Sequence, residues 1–134
     1  MAGRPYHKYV FDTRKRRFVG KFEQMYARED RDGFDSWYQE DLTHPIRRLA
    51  MALLDGYSFR SVLDIGCGKG VFTHVLKKAN THVAGTDISA TAIAKARVKF
   101  PGITFTVCDA FEALRRSRGV ELVVAMEILS YIER

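Results

Sequence analysis

Apolar and aromatic positions Phe18, Phe22, Met25 and Tyr26 recur at i, i+4, i+7 and i+8. That spacing predicts a short amphipathic helix over 15–28. Helical spacing returns at Ile46, Leu49, Ala50, Leu53 and Leu54, with Thr43 placed to cap the helix, Pro45 in its first turn and Gly56 at its end. Past residue 60 the pattern changes. Ser61–Ile65 reads as a short apolar strand followed by glycines. A helix over 71–79 and a strand over 82–86 follow. Ser89 caps a helix that Pro101 and Gly102 stop, and further strands fall over 103–107 and 120–125. Glu127 begins another helix. Alternating strands and helices predict an α/β fold with a parallel sheet covered by helices on both faces, wound by right-handed crossovers.

Composition adds bounds. The chain has 134 residues, a length for one domain. It is 46% hydrophobic and 28% charged, which fits a folded chain rather than a disordered one. No apolar run approaches the roughly 20 residues of a membrane helix, and the N-terminus lacks the apolar core of a secretory signal. A cytoplasmic protein is expected. The net charge of +6 is uneven. Residues 1–21 hold seven basic residues (Arg4, Lys8, Arg14, Lys15, Arg16, Arg17, Lys21) against one acid, Asp12. The remainder balances. Such an arm is either a solvated segment or a guide for anions and nucleic acid.

The stretch Val62-Leu63-Asp64-Ile65-Gly66-Cys67-Gly68-Lys69-Gly70 joins a strand to a helix. Its glycines follow a GxGxG spacing. A dinucleotide fingerprint would need a glycine where Val71 stands. Glycines at these positions allow a tight turn and a ligand close to the backbone. Asp64, Asp87 and Asp109 end three successive strands. Singly, each could be a turn or helix cap. Together they converge on the sheet edge where open α/β folds bind ligands. Three carboxylates without a phosphate-binding Lys-Ser/Thr pair suit a nucleoside that carries a cation.

VLDIGCGKG, GTDIS, CDAF and ELVVAMEILSYI resemble motifs one to four of the class I S-adenosylmethionine-dependent methyltransferases. The resemblance covers about 42–134 and implies a Rossmann-like methyltransferase fold. MEILSYI and the upstream Lys21–Tyr26 pattern are also similar to small-molecule members of the nodulation-factor N-methyltransferase type. Residues 1–41 then form a basic, aromatic, helical N-terminal segment, and 42–134 the cofactor-binding part of the domain. The resemblance implies S-adenosylmethionine as cofactor. Asp64, Gly66, Cys67 and Gly68 would border its methionine end. Asp87 would take the ribose hydroxyls, and Ile88 would pack on the adenine. Asp109 and the Ala110 N–H would meet the adenine edge, and Met126 the methionine end.

For catalysis, Glu127 is the candidate base and His44 a second candidate near the cofactor mouth. No two histidines share a metal-ligand spacing, so no metal is expected. Trp37 and Tyr38 could form a lid. Family strand order 3-2-1-4 would separate Cys67 from Cys108 by two strand spacings, roughly 10 Å, too far for a disulfide.

Family members have about seven strands, whereas four are legible here. The expected sheet is truncated after a fourth strand that is nearly all apolar, as in strands buried on both faces. That strand would offer an open edge for association. The expected function is methyl transfer to N or O of a small-molecule acceptor, in a fragment of a longer enzyme. The alternatives are a nucleic-acid methyltransferase using the basic arm, or a non-catalytic cofactor- or partner-binding module.

Overall fold

The computed structural model describes residues 5–132. Arg4 of the basic arm lies outside them. The N-terminal part opens with α1 (His7–Val10) and a hairpin of β1 (Phe11–Asp12) and β2 (Arg17–Phe18). The helix expected over 15–28 is therefore displaced to α2 (Phe22–Asp32). Asp12 explains the difference. Its Oδ1 accepts from the N–H groups of Arg14 and Lys15, both at 3.0 Å, and folds DTRKR into a turn. Phe18 and Phe22 still pack together, from two elements instead of one.

A single 3₁₀ turn, Ser36–Tyr38, leads to α3 (Pro45–Leu54). Its N-cap is His44, not Thr43, whose N–H and hydroxyl bond Asp41 instead. The stripe expected to face the core is inverted. Ile46, Leu49 and Leu53 are exposed, while Arg47 is buried.

The sheet contains β3 (Ser61–Ile65), β4 (His82–Asp87), β5 (Thr104–Val107) and β6 (Leu122–Val124). All neighbours are parallel, in the order β5-β4-β3-β6. This is the 3-2-1-4 order expected. Helices α4 (Val71–Leu76), α5 (Ala90–Lys99) and α6 (Ala110–Arg116) make the crossovers. Ser89 caps α5 by accepting from the Ala92 N–H at 3.1 Å. On the α5 side the core holds Cys67, Ile93, Ala96, Ile103 and Phe105. A second cluster joins Leu63, Ile65 and Cys108 to Ala113 of α6. Tyr6, Val10, Met25 and Tyr26 pack on Ala92, so the N-terminal segment lies against α5.

β6 forms an edge of the sheet, as expected, and Val123 is 37% exposed. One expectation near the C-terminus needs correction. Glu127 does not start a helix. It takes φ +58°, and a 3₁₀ turn over Leu129–Tyr131 follows. Tyr131 is drawn back against Phe18, Phe22 and Trp37 with ring centroids 5.8–5.9 Å apart. That aromatic packing replaces the helix that the local pattern suggested.

Candidate functional site

The loop after β3 turns back on the sheet. The Gly66 and Cys67 N–H groups both donate to the Thr86 carbonyl, at 2.7 and 2.9 Å. Gly66 has φ +75°, and a Cβ there would collide with the side chain of Ile128. Glycine is thus required twice, for its backbone and for its space. Asp87 holds the loop from the next strand. One carboxylate oxygen accepts from the Gly68 N–H and the other from the Ser89 N–H, each at 2.9 Å.

Asp64 is buried, and its Oδ2 accepts from the Thr73 hydroxyl at 2.7 Å. Burial pushes its carboxyl up to about 7, against the pull of that hydroxyl and helped by the nearby Asp87 charge. Burial raises Asp87 as well, while the N–H groups of Ser89 and Gly68 oppose the shift. Two carboxyls held this way favour a cationic or hydroxyl-bearing partner that would offset their desolvation.

A cavity of about 550 Å³ opens at the carboxyl ends of the strands. That volume lies within the range of small-molecule sites. Its wall gathers Asp64, Gly66, Cys67, Asp87, Ile88, Asp109, Ala110, Met126 and Glu127 from four separate stretches of chain. Ile88 is 61% exposed, a free apolar face at the rim. Asp109 uses one oxygen to cap α6, accepting from the Glu112 N–H at 2.9 Å. Glu127 is exposed on the wall.

Two residues singled out from the sequence stand elsewhere. Gly68 lies beneath the Gln39 amide, which fills the space a Cβ would need. His44 caps α3 and stacks on Tyr38 with ring centroids 6.2 Å apart. Neither lines the cavity. Of the pair expected as a lid, Trp37 lines the cavity and Tyr38 does not.

The sequence reading missed Arg47, Gln39 and Tyr131, all on the wall. Arg47 is 4% exposed. Its Nη2 donates to the Trp37 carbonyl at 3.1 Å, and its Nη1 is buried without a partner. A charge inside an apolar helical stripe gives no sequence signal of burial, because the fold alone decides which way α3 faces. Gln39 bridges two elements: its Oε1 accepts from the Lys69 N–H at 2.8 Å, and its Nε2 donates to the Tyr26 hydroxyl at 2.6 Å.

An open parallel sheet with a glycine turn and a cavity at its switch edge defines a nucleoside-binding α/β domain. Comparison with known proteins places it further. A family model described as a methyltransferase domain matches residues 62–134. The chain belongs to this family, within the class I S-adenosylmethionine-dependent methyltransferases. A curated relative, the ubiquinone biosynthesis O-methyltransferase of Aromatoleum aromaticum, is 30% identical over 97 residues, which cover 66% of this chain and 42% of the relative. The chain therefore spans about two fifths of that relative's length. The structure of a phosphoethanolamine N-methyltransferase from Haemonchus contortus, with phosphoethanolamine and S-adenosylhomocysteine, is 25% identical with a TM-score of 0.58. That match covers 78% of this chain and 24% of the other. Magnesium protoporphyrin IX methyltransferase from Synechocystis, with bound S-adenosylmethionine, shares the fold at 22% identity and TM-score 0.50, over 81% of this chain and 51% of its own. The narrower likeness to nodulation-factor enzymes is carried by none of these three.

Proposed function

We propose that the chain binds S-adenosylmethionine and serves a methyltransferase that modifies an oxygen or nitrogen of a small molecule. The observation that carries this reading is Arg47. A buried guanidinium nitrogen without a partner lines the same cavity as two buried carboxyls, Asp64 and Asp87. An unpaired buried donor is costly. A ligand carboxylate would satisfy it. The opposed charges suit a ligand that is an amino acid at one end and a nucleoside at the other.

The residues divide accordingly. Arg47 takes the carboxylate, and Asp64 with the Gly66 and Cys67 backbone faces the ammonium side. Gly68 acts behind Gln39. Asp87 accepts from ribose hydroxyls, Ile88 packs on the base, and Asp109 and Ala110 meet its edge. Met126 flanks the methionine end.

The cofactor supplies an activated methyl group with its own leaving group, so the chain's task is alignment and exclusion of water. Trp37, Phe22 and Tyr131 wall the cavity with aromatic surface. Glu127, exposed on that wall, is within the site as the base for an acceptor that must lose a proton. His44, one turn away from Arg47 on the cap of α3, is the weaker candidate for that role. The O-methyltransferase relative supports an oxygen acceptor and the phosphoethanolamine enzyme a nitrogen one. Both free cysteines, Cys67 and Cys108, are buried, which supports a reducing, cytoplasmic setting.

The test is calorimetric titration with S-adenosylhomocysteine, beside Asp87→Ala. Binding that the variant loses supports the reading. A folded chain that binds neither S-adenosylhomocysteine nor S-adenosylmethionine contradicts it.

A further inference from the structure

Lys69 sits inside the glycine loop, yet its side chain points away from the cavity wall and into the N-terminal segment. It is 8% exposed. Its Nζ lies 2.7 Å from Asp35 and 3.5 Å from both Glu29 and Glu40. Its own N–H donates to Gln39. One residue of the ligand loop therefore grips the strap over 35–40 by side chain and by backbone at once.

The strap needs a grip. Trp37 and Tyr38 take φ +54° and +50°, a region bulky residues rarely adopt. Lys69 to Asp35, the Lys69 N–H to Gln39 and Arg47 to the Trp37 carbonyl are among the tethers that hold them there, beside Glu29 to the Ser36 N–H and Gln39 to the Tyr26 hydroxyl. The strap delivers Trp37 and Gln39 to the cavity wall. The acids around Lys69 have other partners of unequal strength. Glu29 also accepts from the Ser36 N–H at 2.8 Å and from Lys95 at 3.2 Å, and Glu40 pairs with Lys99. Among the described residues, the Asp35 carboxylate has besides Lys69 only the Glu40 N–H, at 2.8 Å. Burial alone would pull Lys69 down, but Asp35, Glu29 and Glu40 together hold it above the usual lysine value, so the latch is charged.

We propose that Lys69 is a positioning residue that latches the strap over 35–40 onto the glycine loop and thereby sets cofactor affinity. This rests on the cofactor reading above. Lys69 acts through Asp35 and Gln39, not by touching the ligand. Losing its ammonium releases the strap at Asp35 but leaves Glu29 paired with Lys95, so the fold survives.

The chain's one tryptophan is Trp37, so its fluorescence reports the strap alone. The experiment compares Lys69→Met, Lys69→Arg and Asp35→Asn with the parent chain. Each is measured by acrylamide quenching of Trp37 without ligand, by S-adenosylhomocysteine titration, and by far-ultraviolet circular dichroism for folding. Lys69→Met and Asp35→Asn should make Trp37 more quenchable and weaken binding by about tenfold or more, a change of one decade in Kd. Lys69→Arg should restore both readouts. Trp37 equally shielded in a folded Lys69→Met chain overturns the latch, whatever binding does. Weaker binding with Trp37 still shielded overturns it also, since Lys69 would then act without the strap. If the parent chain binds no S-adenosylhomocysteine, the cofactor reading falls, and the quenching comparison still decides the latch.

Discussion

Arg47 gives one guanidinium nitrogen to the Trp37 carbonyl at 3.1 Å and keeps the other buried with no partner. A single side chain thus ties the strap to the ligand cavity. Its planar fork can serve both partners together, which a lysine ammonium cannot. We expect Arg47→Lys to weaken S-adenosylhomocysteine binding by roughly tenfold, about the worth of one charge-assisted hydrogen bond. Calorimetry would show it. Unchanged affinity would remove Arg47 from the ligand site.

Asp64 gives a pH dependence of definite sign. Its carboxyl is raised to about 7 in the fold from the usual 3.8. The folded chain therefore binds more protons than the unfolded one between those values, and stability falls as pH rises through that window. The contribution is fully present below 3.8 and gone above about 7. Asp64→Asn should flatten this part of a denaturant-midpoint series. Ligand affinity should run the other way, rising toward pH 7 as Asp64 ionises to meet an ammonium. A stability profile identical in the parent and Asp64→Asn chains would count against this assignment.

Thr73 is fully buried and its hydroxyl donates to Asp64. Replacing it with valine leaves that carboxyl without a donor and should cost about 1–3 kcal/mol. The same change should move the Asp64 titration further upward, because the hydroxyl now lowers it. Urea unfolding of Thr73→Val at two pH values measures both effects.

Gly66 and Gly33 separate space from backbone. Both have positive φ, +75° and +67°. A methyl group at Gly66 meets Ile128, whereas nothing lies within 4 Å of one at Gly33. Gly33→Ala should cost about 1 kcal/mol from backbone strain alone, and Gly66→Ala more, with weaker ligand binding besides. Equal melting temperatures for the two variants would contradict the contact with Ile128.

The parts legible in the sequence were those written locally. β3, the glycine turn and Asp87 occupy a short span, where strand, turn and acid agree. The Ser89 cap was read directly from its neighbours. Arg47 was hidden because burial of a charge depends on which way α3 faces, and its apolar stripe pointed to the opposite answer. The β1–β2 hairpin was hidden because DTRKR carries no glycine, proline or asparagine. Its turn is made by the Asp12 side chain. Glu127 looked like a helix start, and only the distant packing of Tyr131 on Phe18 and Phe22 explains the turn found there. The Gln39 bridge joins residues thirty positions apart in sequence, a pairing that no local pattern records.

The most direct measurement is calorimetric titration of the folded chain with S-adenosylhomocysteine at neutral pH, with Asp87→Ala in parallel. We expect one site in the parent chain and a loss of at least about tenfold in the variant, since Asp87 holds the Gly68 N–H and faces the cavity. No heat of binding from a folded parent chain, or equal binding by both, would contradict the cofactor site described here.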